Sequence, residues 1–390
     1  MRLGRSLLTV LSLPATLASP HAITRASAMS SFSGSSTTLQ TLCEVSLEAC
    51  DALKPMICSF YAAMNDETSK QKADASIFTI ADGLVQHMLV EHLFAGRFKA
   101  VVGEEECAVN ISTRPFTVDD LVVPDEFCTI VEAAAERMRA LALRLPPTGA
   151  CADLSVFVDP IDGTREFSTG LGEQSSVCIG FADAAGRPVA GLVYRPVPSP
   201  ATWAAGARAE GFAAQRLERA EPASAQGLLT SNGGISSFLS GLLAEGLQRV
   251  PSGGAGNKML LLLEGKGAAY IQDRGVSRWD TCGAQAVLEA HGGALCKLSS
   301  FLQGGAAGYT YLASDLNLDF EPGAATLTPF NAADKGAVVK GAPPVPALEA
   351  VQVKPYANLC GLVALAAGSD PQAWRERCLR TAADSAPAYD

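Results

Sequence analysis

The chain is poor in several features that would each point to a function. It has no C-x-x-C pair, and its eleven cysteines (43, 50, 58, 107, 128, 151, 178, 282, 296, 360 and 378) are scattered and odd in number. Zinc-ribbon chemistry is therefore excluded and a disulfide framework disfavoured. Contexts such as Ser176-Val177-Cys178-Ile179 read as small buried hydrophobes in a reducing compartment. Only four histidines occur, at 21, 87, 92 and 291, and none forms an H-E-x-x-H cluster. Basic residues are outnumbered, 30 Lys and Arg against 40 Asp and Glu, giving a formal charge of −10. Such a chain is a poor binder of nucleic-acid polymers or anionic membranes. It can still take a small phosphorylated metabolite if metal ions supply positive charge locally. Beyond the first 30 residues no apolar run approaches the ~20 residues of a membrane-spanning helix. The 390 residues, 48% hydrophobic and 18% charged, suffice for one large or two ordinary domains with real cores.

One stretch organises the rest: Val156-Phe157-Val158-Asp159-Pro160-Ile161-Asp162-Gly163-Thr164-Arg165-Glu166-Phe167. Residues 156–158 suit a buried strand. Pro160 breaks the pairing and holds Asp159 extended, so the strand is expected to stop at Asp159. The N–H groups of Gly163 and Thr164 would then point at an anion before a helix start. Two carboxylates beside an anion cradle call for a hard cation such as Mg²⁺. Taken alone, D-x-x-D equally fits a capped turn with two solvated aspartates.

Asp159-Pro160-Ile161-Asp162-Gly163-Thr164, with Gly103-Glu104-Glu105 upstream and Trp279-Asp280 downstream, resembles the inositol monophosphatase superfamily of Mg²⁺-dependent, lithium-sensitive phosphatases. The motifs occur in the family's order. Lys72-Ala73-Asp74-Ala75-Ser76-Ile77-Phe78-Thr79-Ile80-Ala81-Asp82 resembles a further element of that family. Gly254-Ala255-Gly256-Asn257-Lys258, Leu263-Glu264-Gly265-Lys266-Gly267 and Trp279-Asp280-Thr281-Cys282 are most similar to its 3'(2'),5'-bisphosphate nucleotidase branch. The resemblance covers about residues 38–300, with an echo near 356–364. It implies a layered α-β-α-β-α sandwich of the inositol monophosphatase and fructose-1,6-bisphosphatase type.

Read in order, residues 1–30 are expected to form a targeting or disordered leader. Arg2 and Arg5 precede an apolar run and an acid-free, Ala-rich stretch, which suits an organelle (plastid or mitochondrion); a cytoplasmic protein starting at Met29 is the alternative. An N-terminal half spans 38–225, a C-terminal half 226–370 and a tail 371–390. The spacing predicts helices over 38–63, with Pro55 as a point of kinking, and over 83–94, opened by Asp82 as a cap. Strands follow over 99–102, 175–181 and 188–194, with a hairpin near 205–212. Residues 107–155 read as an inserted excursion with a helix over 127–145, and 303–350 as a second. In the C-terminal half a strand near 228–231 and a helix over 238–247 lead to a glycine-rich turn, Ser252 to Lys258. That turn opens a helix over 259–265; it could cradle phosphate or merely pack tightly. Asp280 is placed to cap a helix over 282–290. A closing strand over 356–364 and a short helix around Trp374 end the chain.

The resemblance also implies the chemistry, hydrolysis of a phosphomonoester by metal-activated water. Asp159 would bridge two of two or three Mg²⁺ ions. Glu104 and the Ile161 carbonyl would complete one site, Asp162 and Asp280 the other, and Glu105 a weaker third. Thr164, backed by Asp82, would orient the attacking water. Gly163, Thr164, Gly256, Asn257, Lys258 and Asp280 would contact substrate. The preferred substrate is adenosine 3',5'-bisphosphate, converted to AMP and phosphate as in sulfur assimilation, by a monomer or homodimer. An inositol phosphate, including the polyphosphate 1-phosphatase type, is the alternative. One departure bears on the choice: after Thr230-Ser231 the chain carries Asn232-Gly233-Gly234, where the resembled nucleotidases have a Ser-His pair.

Overall fold

The computed structural model describes residues 38–64, 74–218, 226–313, 315, 338–340 and 356–389. The expected leader at 1–30, part of the 72–82 element and most of the 303–350 excursion lie outside these residues. Helix α1 (Thr38–Met64) and helix α2 (Asp74–His87), continued by a π-helical turn (Met88–Leu93), precede strand β1 (Ala100–Gly103). Short strands β2 (Val109–Asn110), β3 (Thr117–Val118) and β4 (Leu121–Val122) come before α3 (Asp125–Ala142) and α4 (Thr148–Cys151). The central segment is β5 (Ser155–Asp162), α5 (Thr164–Ser168), β6 (Ser176–Ala182), β7 (Pro188–Arg195), β8 (Thr202–Ala207) and β9 (Phe212–Arg216). The next stretch holds β10 (Gly227–Thr230), α6 (Ser237–Ala244), β11 (Gln248–Pro251), α7 (Ala255–Glu264), β12 (Ala269–Gln272), β13 (Val276–Ser277) and α8 (Arg278–Ala290). The chain closes through β14 (Ala294–Lys297), α9 (Leu298–Leu302), β15 (Val338–Lys340), β16 (Ala357–Asn358), β17 (Leu362–Leu365) and α10 (Pro371–Asp384).

Two sheets organise these elements: a seven-stranded one ordered β15-β1-β5-β6-β7-β8-β9 and a five-stranded one ordered β11-β10-β12-β17-β14. Side chains alternate across the first with period two, as a strand buried on both faces requires. Val156, Val158, Val177, Ile179, Leu192 and Tyr194 enter a core shared with α1, α2 and α3. Phe157, Cys178 and Val193 enter a second core, shared with α7, α8 and Tyr270 of the second sheet. The far face of the second sheet packs Leu228, Ile271 and Val363 against Phe238, Trp374 and Cys378 of the outer helices α6 and α10. The five layers α-β-α-β-α are thus present, as expected. Helix α8 lies flush on the first sheet because glycine meets glycine. A Cβ on Gly180 would fall 2.3 Å from the Gly283 nitrogen, and one on Gly191 2.4 Å from the Gly283 oxygen.

Several local expectations need correction. Helix α2 runs straight through Asp82, which is 1% exposed in its interior. The apolar positions Ile80, Ala81, Leu84 and Val85 continue across it, so packing overrides the capping preference. Strand β5 does not stop at Asp159. It resumes to Asp162, with a register shift between those residues against β6, and Pro160 occupies the irregularity, where a missing N–H is tolerated. Asp280 is not the cap of α8. Ser277 is, and Asp280 sits three residues inside, its Oδ2 accepting from the Ser277 N–H at 2.7 Å in a capping box. The 107–155 excursion is largely part of the fold, since Phe127, Val131, Met138 and Leu141 of α3 join the first core. The short helix near Trp374 is fourteen residues long, with Pro371 at its start and Asp370 accepting from the Gln372 and Ala373 N–H groups. The closing strand is two, β16 and β17, split at Cys360 and Gly361, both at positive φ.

Candidate active site

The parallel pairing of β1 and β5 sets Val102 beside Phe157 and Gly103 beside Val158. One step further, where β1 ends and β5 runs on along β6, that register brings Glu104 alongside Asp159. Helix α8 starts under the same edge and delivers Asp280. One carboxylate oxygen from each of Glu104, Asp159 and Asp280 lies within 4.8 Å of the others. Asp159 is buried, and its Oδ1 has no hydrogen-bond partner among the described residues. Burial first, then the charges of Glu104, Asp162 and Asp280, push its carboxyl well above the usual range. Three converging carboxylates, one of them inaccessible and under-bonded, repel each other unless a cation sits between them. Their all-oxygen donor set suits a hard divalent ion such as Mg²⁺.

Asp162, three residues on, is bonded quite differently. Its Oδ1 accepts from the Ala255 N–H at 2.9 Å, and its Oδ2 accepts from the Gly256 N–H at 2.7 Å and the Ser176 hydroxyl at 3.1 Å. The first amides of α7 therefore meet an aspartate of the first sheet, where helix N-termini favour negative charge. Burial still raises the Asp162 carboxyl, while Lys258 and these bonds pull it back. The crossing needs glycine on both sides: Gly163 (φ 88°) and Gly254 (φ 62°) are left-handed, and a Cβ on Gly254 would lie 2.8 Å from Asp162 Oδ2.

The other expected residues surround this pair. Thr164 begins α5, directly after Gly163. Ile161 is buried in the first core, and Glu105 is half-buried beside Glu104. Gln86, one helical turn after Asp82 on the same face of α2, clamps that turn of chain. Its Nε2 donates to the Glu105 carbonyl at 2.6 Å, and its Oε1 accepts from the Glu105 N–H at 2.9 Å. Gly256, Asn257 and Lys258 lie in the wall behind Asp162. The Lys258 ammonium donates to the Ser252 carbonyl at 3.3 Å and lies 4.9 Å from the Tyr270 ring centroid. Burial lowers its pKa to about 8 against the pull of Asp162, Glu166 and Asp280. The Asn257 amide donates to Ser252 Oγ and the Gly253 carbonyl, and its Oδ1 accepts from Arg195 Nε at 2.7 Å. Arg195 Nη1 in turn pairs with Glu264 at 2.5 Å, both nearly fully buried.

Sequence reasoning passed over Gln86, Gln174, Ser176, Arg195 and Glu264. Gln86 was recoverable from its four-residue spacing to Asp82. Gln174 carries no local signal: its Oε1 accepts from Asn232 Nδ2 and the Gly253 N–H, each at 2.8 Å, from two loops distant in sequence.

A layered α/β protein with three converging carboxylates beside a parallel strand pair has the donor set of a hard-cation site. The profile of the inositol monophosphatase family matches residues 38–317, and the chain belongs to that family. It is 36% identical over 159 residues to the rat 3'(2'),5'-bisphosphate nucleotidase 1, covering 37% of this chain and 49% of the relative. It is 34% identical over 155 residues to the human protein of that name, with the same coverage. To a putative inositol monophosphatase 3 of Drosophila melanogaster it is 28% identical over 157 residues, 38% of this chain and 43% of that one. The chain thus spans about half the length or less of these relatives. Among solved structures, the inositol monophosphatase of Anabaena (Nostoc) sp. PCC 7120 superposes with a TM-score of 0.48 at 15% identity, over 90% of this chain and 98% of that one.

Proposed function

We propose that the chain is a Mg²⁺-dependent phosphomonoesterase acting on adenosine 3',5'-bisphosphate, removing the 3'-phosphate to leave AMP. The observation that carries the reading is the convergence of Glu104, Asp159 and Asp280 within 4.8 Å, with Asp159 Oδ1 buried and unbonded. Its support in substrate class comes from relatives named as bisphosphate nucleotidases. Glu104, Asp159 and Asp280 would hold the metal, with Asp162, Glu105 and the Ile161 carbonyl beside them. When bound, two or three divalent ions neutralise phosphoryl charge and lower the pKa of water. The chain's own residues supply the positioning. Thr164 would orient the attacking water, its hydroxyl taking the water's proton while passing its own to the Asp82 carboxylate, and the Gly163 and Thr164 N–H groups would orient the phosphoryl oxygens. Gln86 keeps the Glu104–Glu105 turn aimed at the centre. Lys258 lies behind Asp162 as a buried positive charge.

A second reading, an inositol phosphate phosphatase, is favoured by the likeness to the putative inositol monophosphatase 3. Phosphate release from adenosine 3',5'-bisphosphate and inositol 1,4-bisphosphate, side by side with Mg²⁺ and with or without lithium, decides between them. Preference for the nucleotide supports the proposal; preference for the inositol ester replaces it. No metal-dependent release from either would sink both.

A further inference from the structure

The loop after β10 carries a concentration of positive charge that the proposed hydrolysis does not use. Arg249, on the edge strand β11, donates from Nε to Thr230 Oγ1 at 3.0 Å. Its Nη2 donates to the carbonyls of Ser231 at 2.9 Å and Gly233 at 2.8 Å. From the other side comes Arg165, the residue after Thr164. Its Nη1 lies 3.5 Å from where a Cβ on Gly233 would stand. Two guanidinium groups thus close on one glycine, both on exposed residues. Among the described residues neither makes an ion pair with a carboxylate, although acids outnumber bases in the chain 40 to 30. Both exposed positive charges reach the same glycine, and a bound anion would relieve their mutual repulsion.

The loop is fixed rather than adrift. Asn232 Nδ2 donates to Glu166 Oε1 and Gln174 Oε1, each at 2.8 Å. These bonds tie the loop to the segment that follows the Asp159–Thr164 motif. Space is available as well, since a Cβ on Gly234 would meet nothing within 4 Å. Planar guanidinium groups are matched to phosphate oxygens, which they bind with paired hydrogen bonds.

We propose that Arg165 and Arg249, straddling Gly233, form a second anion subsite that takes the phosphate the enzyme does not cleave. The assignment rests on the reading of the chain as a phosphomonoesterase and deepens it. The subsite recognises a phosphate dianion on the leaving group, whatever scaffold carries it. It thereby sets a preference for bisphosphorylated over monophosphorylated substrates. Arg249 also braces the loop, so Arg165 is the residue to vary.

The test compares kcat and KM for adenosine 3',5'-bisphosphate and adenosine 3'-monophosphate in the wild type, Arg165→Ala and Arg165→Lys. Inositol 1,4-bisphosphate and inositol 1-phosphate are run in parallel. Arg165→Ala should lower kcat/KM for the bisphosphate about tenfold more than for the monophosphate, the size of one charge-assisted hydrogen bond. The extra loss should appear in KM; Arg165→Lys should recover part of it, and added salt should narrow the wild-type preference. Equal losses on both members of a pair, or no loss on either, overturn the subsite. If only the inositol pair is turned over, the nucleotide reading fails while the bis-to-mono ratio still judges the subsite. If neither pair is turned over, calorimetric titration of adenosine 3',5'-bisphosphate into wild type and Arg165→Ala replaces it, and equal Kd values, or binding to neither, overturn the assignment.

Discussion

Asp159 and Asp162 stand three residues apart, on one strand, in one motif, and the fold treats them in opposite ways. Asp162 is well supplied: two α7 amides and a serine hydroxyl converge on its carboxylate, leaving one acceptor site on Oδ1. Asp159 is starved, with a buried oxygen that finds no donor and two further carboxylates facing it. A carboxylate that accepts N–H groups joins a sheet to a helix whatever else it faces. One surrounded by other carboxylates is satisfied only by a cation or a proton. Burial alone therefore does not mark a functional acid; what the neighbours can donate does.

The largest expected effect separates the two by activity. Asp159→Asn should lower kcat/KM for the preferred substrate by on the order of 10³ or more. Its urea midpoint in EDTA should not fall, because the change removes an uncompensated buried charge. A clear loss of stability would mean that Asp159 is a structural acid after all, and the contrast would collapse.

Next come changes that loosen the joint at Asp162. Arg195→Ala strands the Glu264 carboxylate in the interior and should cost about 3–5 kcal/mol in urea unfolding. Replacing Arg195 and Glu264 together by methionine should restore most of it. If the double variant is no better than the single one, the pair is not what anchors α7. Asp162→Ala leaves the Ala255 and Gly256 amides buried and unbonded, and should cost about 2–4 kcal/mol. A stable Asp162→Ala protein with full activity would erase the distinction from the other side.

The smallest effect is a slope. Asp159 has its carboxyl raised in the folded protein, mainly by burial and Glu104, from an ordinary value of 3.8. The folded state therefore holds its proton more tightly than the unfolded chain does. The associated stability is fully present below the ordinary carboxylate range and is lost as pH rises through the raised value. In EDTA, unfolding free energy should decline on going upward from about pH 4, and Asp159→Asn should flatten that decline. An unchanged slope would show that other groups carry it.

How much of this could be read from the chain follows from the same contrast. Glu104, Asp159 and Asp280 were recognisable because each sits in a short local motif, and the three motifs in order resemble one family. The β-branched and aromatic residues of 156–158 likewise gave away a buried strand. The position of Asp82 was misjudged because an aspartate before an apolar run looks like a cap, and only the packing of Ile80 and Ala81 shows the helix passing through it. The bonding of Asp162 was invisible, since its partners lie 93 and 94 positions later. Gln174 and Arg195 were missed for the same reason: their contacts are long-range and follow no spacing rule.

The separation of the three acids along the chain also has a consequence in time. Asp280 follows Asp159 by roughly 120 positions, so at ~5–20 residues per second a ribosome extends the chain for about 6–24 seconds between the two. Throughout that interval the emerging polypeptide carries Glu104 and Asp159 but lacks their third carboxylate, and until Ala255 and Gly256 emerge Asp162 has no helix to hold. The nascent protein therefore cannot assemble its acidic centre early. A product released before α8 is made lacks Asp280 and the helix that covers β6 and β7.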